Sequence, residues 1–137
     1  MRMQPGMIWI GWITLVTLVL YLATAVYVSR MRVRHGVSAP AVVGPPAFEY
    51  AVRVHANTLE YLVPFLVGLW MCAIFWAPLP AAILGIVWVF GRLIYALGYY
   101  SAPGRRVPGF VISNIALLLL LIGTVYGLFR MGLVMGV

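Results

Sequence analysis

The chain contains no lysine and only two carboxylate side chains, Glu49 and Glu60, against nine arginines. Charged residues make up 8 % of its 137 positions and hydrophobic residues 65 %, with a mean hydropathy of +1.09. A soluble domain carries roughly 25 % charged residues. This sequence would expose far too much apolar surface in water and belongs in a bilayer. Cysteine is nearly absent as well: a lone Cys72 excludes an internal disulfide and a cysteine-based metal centre, and its place deep in an apolar run reads as an inert core position. Two histidines and two acids give no recognisable ligand spacing, so no metal is expected. The net charge of +7 and the pI near 10.2 would suit a nucleic-acid binder. The arginines, however, stand at the ends of apolar runs, which is a membrane-topology pattern, and no nucleic-acid partner is expected.

Four apolar runs predict a single all-α domain over residues 1–137, an antiparallel up-down bundle of four transmembrane helices at about 8–28, 48–76, 81–100 and 110–129. The first run is too long for the apolar part of a signal peptide, and no small-x-small cleavage pattern follows it. Arg30, Arg32, Arg34 and His35 stop it. Thr14, Thr17, Tyr21 and Thr24 share one arc of this helix, either as a polar seam against neighbours or as hydroxyls returned to their own backbone. Gly36, Pro40, Gly44, Pro45 and Pro46 punctuate the following loop. Pro64 predicts a kink in the second helix, and the short turn at 77–80 makes helices two and three a hairpin. The loops after helices one and three hold Arg30, Arg32, Arg34, Arg105 and Arg106, with Arg53 nearby, whereas the other side holds only Arg2 and Arg130. The positive-inside rule therefore places both loops in the cytoplasm and both termini on the non-cytoplasmic side.

Both acids fall in the second helical segment. A carboxylate facing lipid costs roughly 2.5–3.5 kcal/mol, so one inside a span faces protein, water or a ligand. With a turn of ~3.6 residues, Arg53, Asn57, Glu60 and Tyr61 lie at about 0°, 40°, 340° and 80°, on one face. Cation, amide, carboxylate and phenol on one side of a membrane helix suit a small ligand that carries both charges and hydrogen-bonds. The alternatives are an ion pair from Glu60 to Arg53 or Arg92 that only locks helices together, or the acid of a small four-helix transporter. Arg92, Tyr95 and Tyr99 form a second single-faced set on helix three. Arg105 and Arg106 sit in a turn restrained by Pro103, Gly104, Pro108 and Gly109, where a guanidinium can favour an anion such as a thiolate. His55 lies at about 200° from Arg53, on the opposite face. No proton donor other than the tyrosines stands on the site face, which argues against acid–base hydrolysis.

The string Gly44-Pro45-Pro46-Ala47-Phe48-Glu49, then Arg53-x-His55-x-Asn57-x-x-Glu60 and Pro64-Phe65, resembles the signature of the MAPEG family, the membrane-associated proteins of eicosanoid and glutathione metabolism. Arg92-x-x-Tyr95-x-x-x-Tyr99 and an arginine after a short turn extend the resemblance to the start of helix four. The resemblance implies a homotrimer holding glutathione between subunits. It implies that Arg53, Asn57, Glu60, Tyr61, Tyr95 and Tyr99 bind the tripeptide and that Arg106 is the catalytic residue, stabilising its thiolate. Arg32 and His55 would reach the ligand from the adjacent subunit. In leukotriene-forming relatives the position of His55 is a glutamine. The histidine-bearing string is similar to microsomal glutathione transferases, whereas the Gly-Pro-Pro lead-in and the Tyr99-to-Arg106 spacing are similar to the leukotriene-forming synthase. Thr58 stands where several relatives have aspartate, and Arg105 competes with Arg106 for the catalytic place. The implied activity is conjugation of glutathione to lipophilic electrophiles or lipids dissolved in the membrane, with glutathione peroxidase activity as a companion and non-catalytic lipid binding or presentation as the alternative.

Overall fold

The computed structural model describes residues 6–136, so Arg2, counted above on the non-cytoplasmic side, lies outside the described residues. Four long helices follow one another: α1 at Met7–Arg34, α2 at Pro46–Phe75, α3 at Pro78–Ser101 and α4 at Val107–Met135, with a 3-10 turn at Pro103–Arg106 leading into the last. All four are long and apolar enough to cross a membrane. Proline marks the first turn of α2, α3 and α4, where a missing N–H leaves no bond unmade. Pro64 is accommodated inside α2.

The helices outrun the apolar segments that announce them. α1 continues through Arg30 and Arg32 to Arg34, because guanidinium groups end a hydrophobic run but favour the negative end of a helix dipole. α4 likewise carries Arg130 and Gly132 before ending at Gly136, whose φ of 72° is the left-handed cap glycine adopts freely. The α1–α2 loop is fastened at both ends. Arg32 donates to the carbonyl oxygens of Ala41 (2.8 Å) and Val37 (3.4 Å) and lies over the Phe48 ring, and the Gly44 N–H donates to Glu49 at 3.0 Å.

α2 and α3 form the middle of the bundle, with α1 packed against one side of the pair and α4 against the other. At the centre Phe65 of α2 stacks on Trp88 of α3, with ring centroids 3.7 Å apart and planes 6° from parallel. Ile10 and Ile13 from α1 and Leu117 and Leu120 from α4 close the same cluster. Lipid tails are as apolar as leucine, so close packing rather than water exclusion holds such helices together. Much of the remaining apolar surface, including Leu22 and Val26 of α1 and Leu118 and Ile122 of α4, points outward, as it does in a protein whose solvent is hydrocarbon.

Candidate functional site

The polar cleft begins with two glycines. A Cβ on Gly98 would collide with the carbonyl oxygen of Arg105, and one on Gly109 with the backbone nitrogen of Tyr95. Their lack of side chains lets the 103–106 turn and the start of α4 lie directly on the last turns of α3. That seating puts the Arg106 guanidinium over the Tyr99 ring, 5.0 Å from its centroid, a cation–π contact. Tyr99 in turn meets Tyr95 edge to face, with centroids 5.7 Å apart.

Across from this wall stands α2. Arg53 and Asn57 complete a cleft of about 300 Å³ lined also by Tyr95, Tyr99, Arg106, Val107 and Phe110. Both arginines at its mouth are exposed, while the two tyrosines are buried. Beneath the cleft Arg92 is fully buried. Its Nη1 donates to Asn57 Oδ1 at 3.1 Å, its Nη2 donates to Thr58 Oγ1 at 2.9 Å, and its guanidinium lies 4.2 Å from the Tyr95 centroid. With its oxygen held from below, the Asn57 amide turns its Nδ2 toward Glu60 and donates to Oε2 at 3.1 Å. Arg92 therefore bonds to the amide and to Thr58, and reaches the Glu60 carboxylate only through Asn57. Tyr61, a turn deeper, packs edge to face on Phe110 and lies beside Arg92.

Of the site residues expected from the sequence, Arg53, Asn57, Tyr95, Tyr99 and Arg106 line one cleft. Glu60 is tied to it through Asn57, and Tyr61 through Phe110. Arg105 is exposed and outside the lining. His55 and Arg32 stand elsewhere in the chain: His55 faces α1, within 2.9 Å of Thr24, and Arg32 clasps its own loop. The polar arc of α1 serves both of the purposes open for it. Thr14, Thr17 and Thr24 each return a bond to their own helix, while Thr14 also accepts from Trp70 Nε1 and Thr24 also meets His55. Thr58 was legible only as a departure from a motif, and its bond to Arg92 depends on how α2 and α3 face each other.

A larger cavity, about 620 Å³, opens at the opposite end of the bundle among Trp76, Leu79, Pro80, Ile83, Leu119, Ile122 and Tyr126. Its lining carries no charged group, so it does not suit a ligand with charges of both signs. Among the described residues no group of three or more His, Cys, Asp or Glu side chains converges as a metal site would require.

The sequence model of the MAPEG family matches residues 7–126. An uncharacterized protein of Synechocystis sp. is 42 % identical over 120 residues, 88 % of each chain. Human microsomal glutathione S-transferase 2 is 37 % identical over 100 residues, 72 % of this chain and 68 % of that one. Leukotriene C4 synthase of Cavia porcellus is 36 % identical over 116 residues, 85 % of this chain and 77 % of that one.

Proposed function

The chain belongs to the MAPEG family and is an integral membrane protein, and from that membership we propose that it is a glutathione transferase that conjugates the glutathione thiolate to lipophilic electrophiles reaching it from the bilayer. The observation that carries this reading is the convergence of Arg53, Asn57, Tyr95, Tyr99 and Arg106 on one cleft, with the Glu60 carboxylate hydrogen-bonded to Asn57 beside it. Glutathione has two carboxylates, one ammonium, two peptide groups and a thiol. Arg53 pairs with a carboxylate, Glu60 with the ammonium, and the tyrosine hydroxyls with backbone groups, which leaves the sulfur near Arg106. An unperturbed thiol has a pKa of about 8.5, and a neighbouring cation lowers such values by roughly 1–3 units. A lowering toward the upper end of that range makes the thiolate the major form at neutral pH.

The reaction needs no metal and no acid–base pair. The sulfur attacks the electrophilic carbon, the leaving group departs with the bond's electrons, and Arg106 has already stabilised the anion that reacts. Its companion, a glutathione peroxidase activity, uses the same thiolate, with two glutathiones reducing a lipid hydroperoxide to an alcohol and water and leaving glutathione disulfide. Arg32 and His55, which lie outside their own subunit's cleft, complete the site of a neighbour in a homotrimer. The arginine-rich ends of the helices face the cytoplasm, where glutathione is soluble, and both termini face away from it. Support for this sidedness is the clustering of Arg30, Arg32, Arg34, Arg105 and Arg106 at one end of the bundle.

Purified protein in detergent, given glutathione and a chlorodinitrobenzene, should release chloride and form the thioether. Glutathione binding without any turnover, across several electrophiles, would instead identify a lipid-binding or lipid-presenting protein.

A further inference from the structure

Two side chains of α1 hold His55 from the side opposite the cleft. Thr24 is buried, and its hydroxyl oxygen stands 2.6 Å from the Tyr21 carbonyl oxygen and 2.9 Å from His55 Nδ1. The Tyr21 ring stacks on the imidazole, with centroids 5.0 Å apart and planes 21° from parallel. Residues three apart on a helix share a face, so Thr24 grips the edge of the ring and Tyr21 covers its plane.

A threonine hydroxyl has one proton. Two oxygens 2.6 Å apart attract only with a proton between them, and a carbonyl has none to give. The Thr24 proton is thus committed to Tyr21, and its oxygen meets His55 with a lone pair. Nδ1 must then carry the hydrogen, and a neutral ring protonated at Nδ1 is bare at Nε2.

We propose that Thr24 is a positioning residue that locks His55 in the Nδ1–H tautomer, so that Nε2 acts as a hydrogen-bond acceptor for an N–H group of the tripeptide bound at the adjoining subunit's cleft. The ligand's identity and the shared site rest on the glutathione-transferase reading, whereas the tautomer does not. A glutamine at this position can turn either a carbonyl or an amide toward a ligand. The locked imidazole offers only a lone pair, so it accepts a peptide N–H or an ammonium and rejects a carboxylate oxygen. His55 therefore sets which way round the tripeptide lies across the interface.

The test is nitrogen NMR of the full-length, histidine-labelled protein in detergent at neutral pH, with and without glutathione. His55→Gln assigns the His55 signals by their loss. The expected spectrum has a protonated Nδ1 and an unprotonated Nε2, with the Nε2 signal moving when glutathione is added. Thr24→Val removes the lone pair at nearly constant shape. It should turn the ring into a mixture of tautomers and raise the KM for glutathione about five-fold, the size of one net hydrogen bond, with a smaller effect on kcat. Thr24→Ser should restore both. A proton on Nε2 in the wild type, alone or together with Nδ1, overturns the proposal, and that spectrum decides it even where Thr24→Val does not fold. Unchanged ring signals in Thr24→Val, or a tautomer that follows Thr24 while the glutathione KM does not, overturn it as well. Failure of the functional reading looks different: the wild type would show no glutathione-dependent signal and no conjugation, with the ligand-free tautomer still legible.

Discussion

Arg53 and Arg106 share a cleft, and the proposed binding mode gives them different parts of the ligand, so their variants should separate accordingly. In the proposed site Arg53 holds a carboxylate that would be charged before, during and after reaction, so it would bind ground and transition states alike. Arg53→Ala should raise the KM for glutathione about 10- to 100-fold, the loss of one charge-assisted bond of roughly 1.5–3 kcal/mol, with kcat changed much less. Steady-state kinetics with glutathione varied at fixed electrophile checks this, and a fall confined to kcat would contradict it. The residues of this cleft were largely legible in the sequence, since Arg53, Asn57 and Glu60 on α2 and Tyr95 and Tyr99 on α3 recur at helical spacing. Arg92 was legible as a member of the same face but not as the buried group beneath it. Helical phase gives direction, whereas depth depends on the facing helix, here through Asn57 and Thr58.

Among the elements, the 103–106 turn is set by its neighbour more than by itself. Gly98 has no special φ, and its role is to let the Arg105 carbonyl approach. Gly98→Val would push the turn outward and carry Arg106 off Tyr99. Conjugation should fall at least about ten-fold while circular dichroism keeps the helical content of the wild type, since Trp88 of the central Phe65–Trp88 stack lies roughly three helical turns from the change. Full activity in that variant would show that the turn does not position Arg106. The sequence places a restrained turn here from its prolines and glycines, yet it cannot say which helix the turn leans on. Helix ends show the same limit: hydropathy locates the apolar part of α1, but the helix itself runs on through the arginines to Arg34 because backbone bonding does not require an apolar side chain.

For the whole molecule, the proposed site draws on two subunits. Arg32 and His55 lie apart from their own cleft, so a lone subunit is incomplete on this reading. Mixing Arg106→Ala and Arg32→Ala subunits in equal amounts before assembly should recover about a quarter of the wild-type activity, because each site takes one residue from each of two independently drawn subunits. No recovery above the two separate variants, or an active species with the detergent-corrected mass of one subunit, would rule out the shared site. In the proposed mechanism this membrane protein holds glutathione as a thiolate through Arg106, and ultraviolet difference absorbance at saturating glutathione measures that directly. The wild type and Arg105→Ala should show the thiolate band at neutral pH, and Arg106→Ala should bind glutathione without it. A thiolate band that survives in Arg106→Ala, or disappears in Arg105→Ala instead, would show that Arg106 does not stabilise the thiolate.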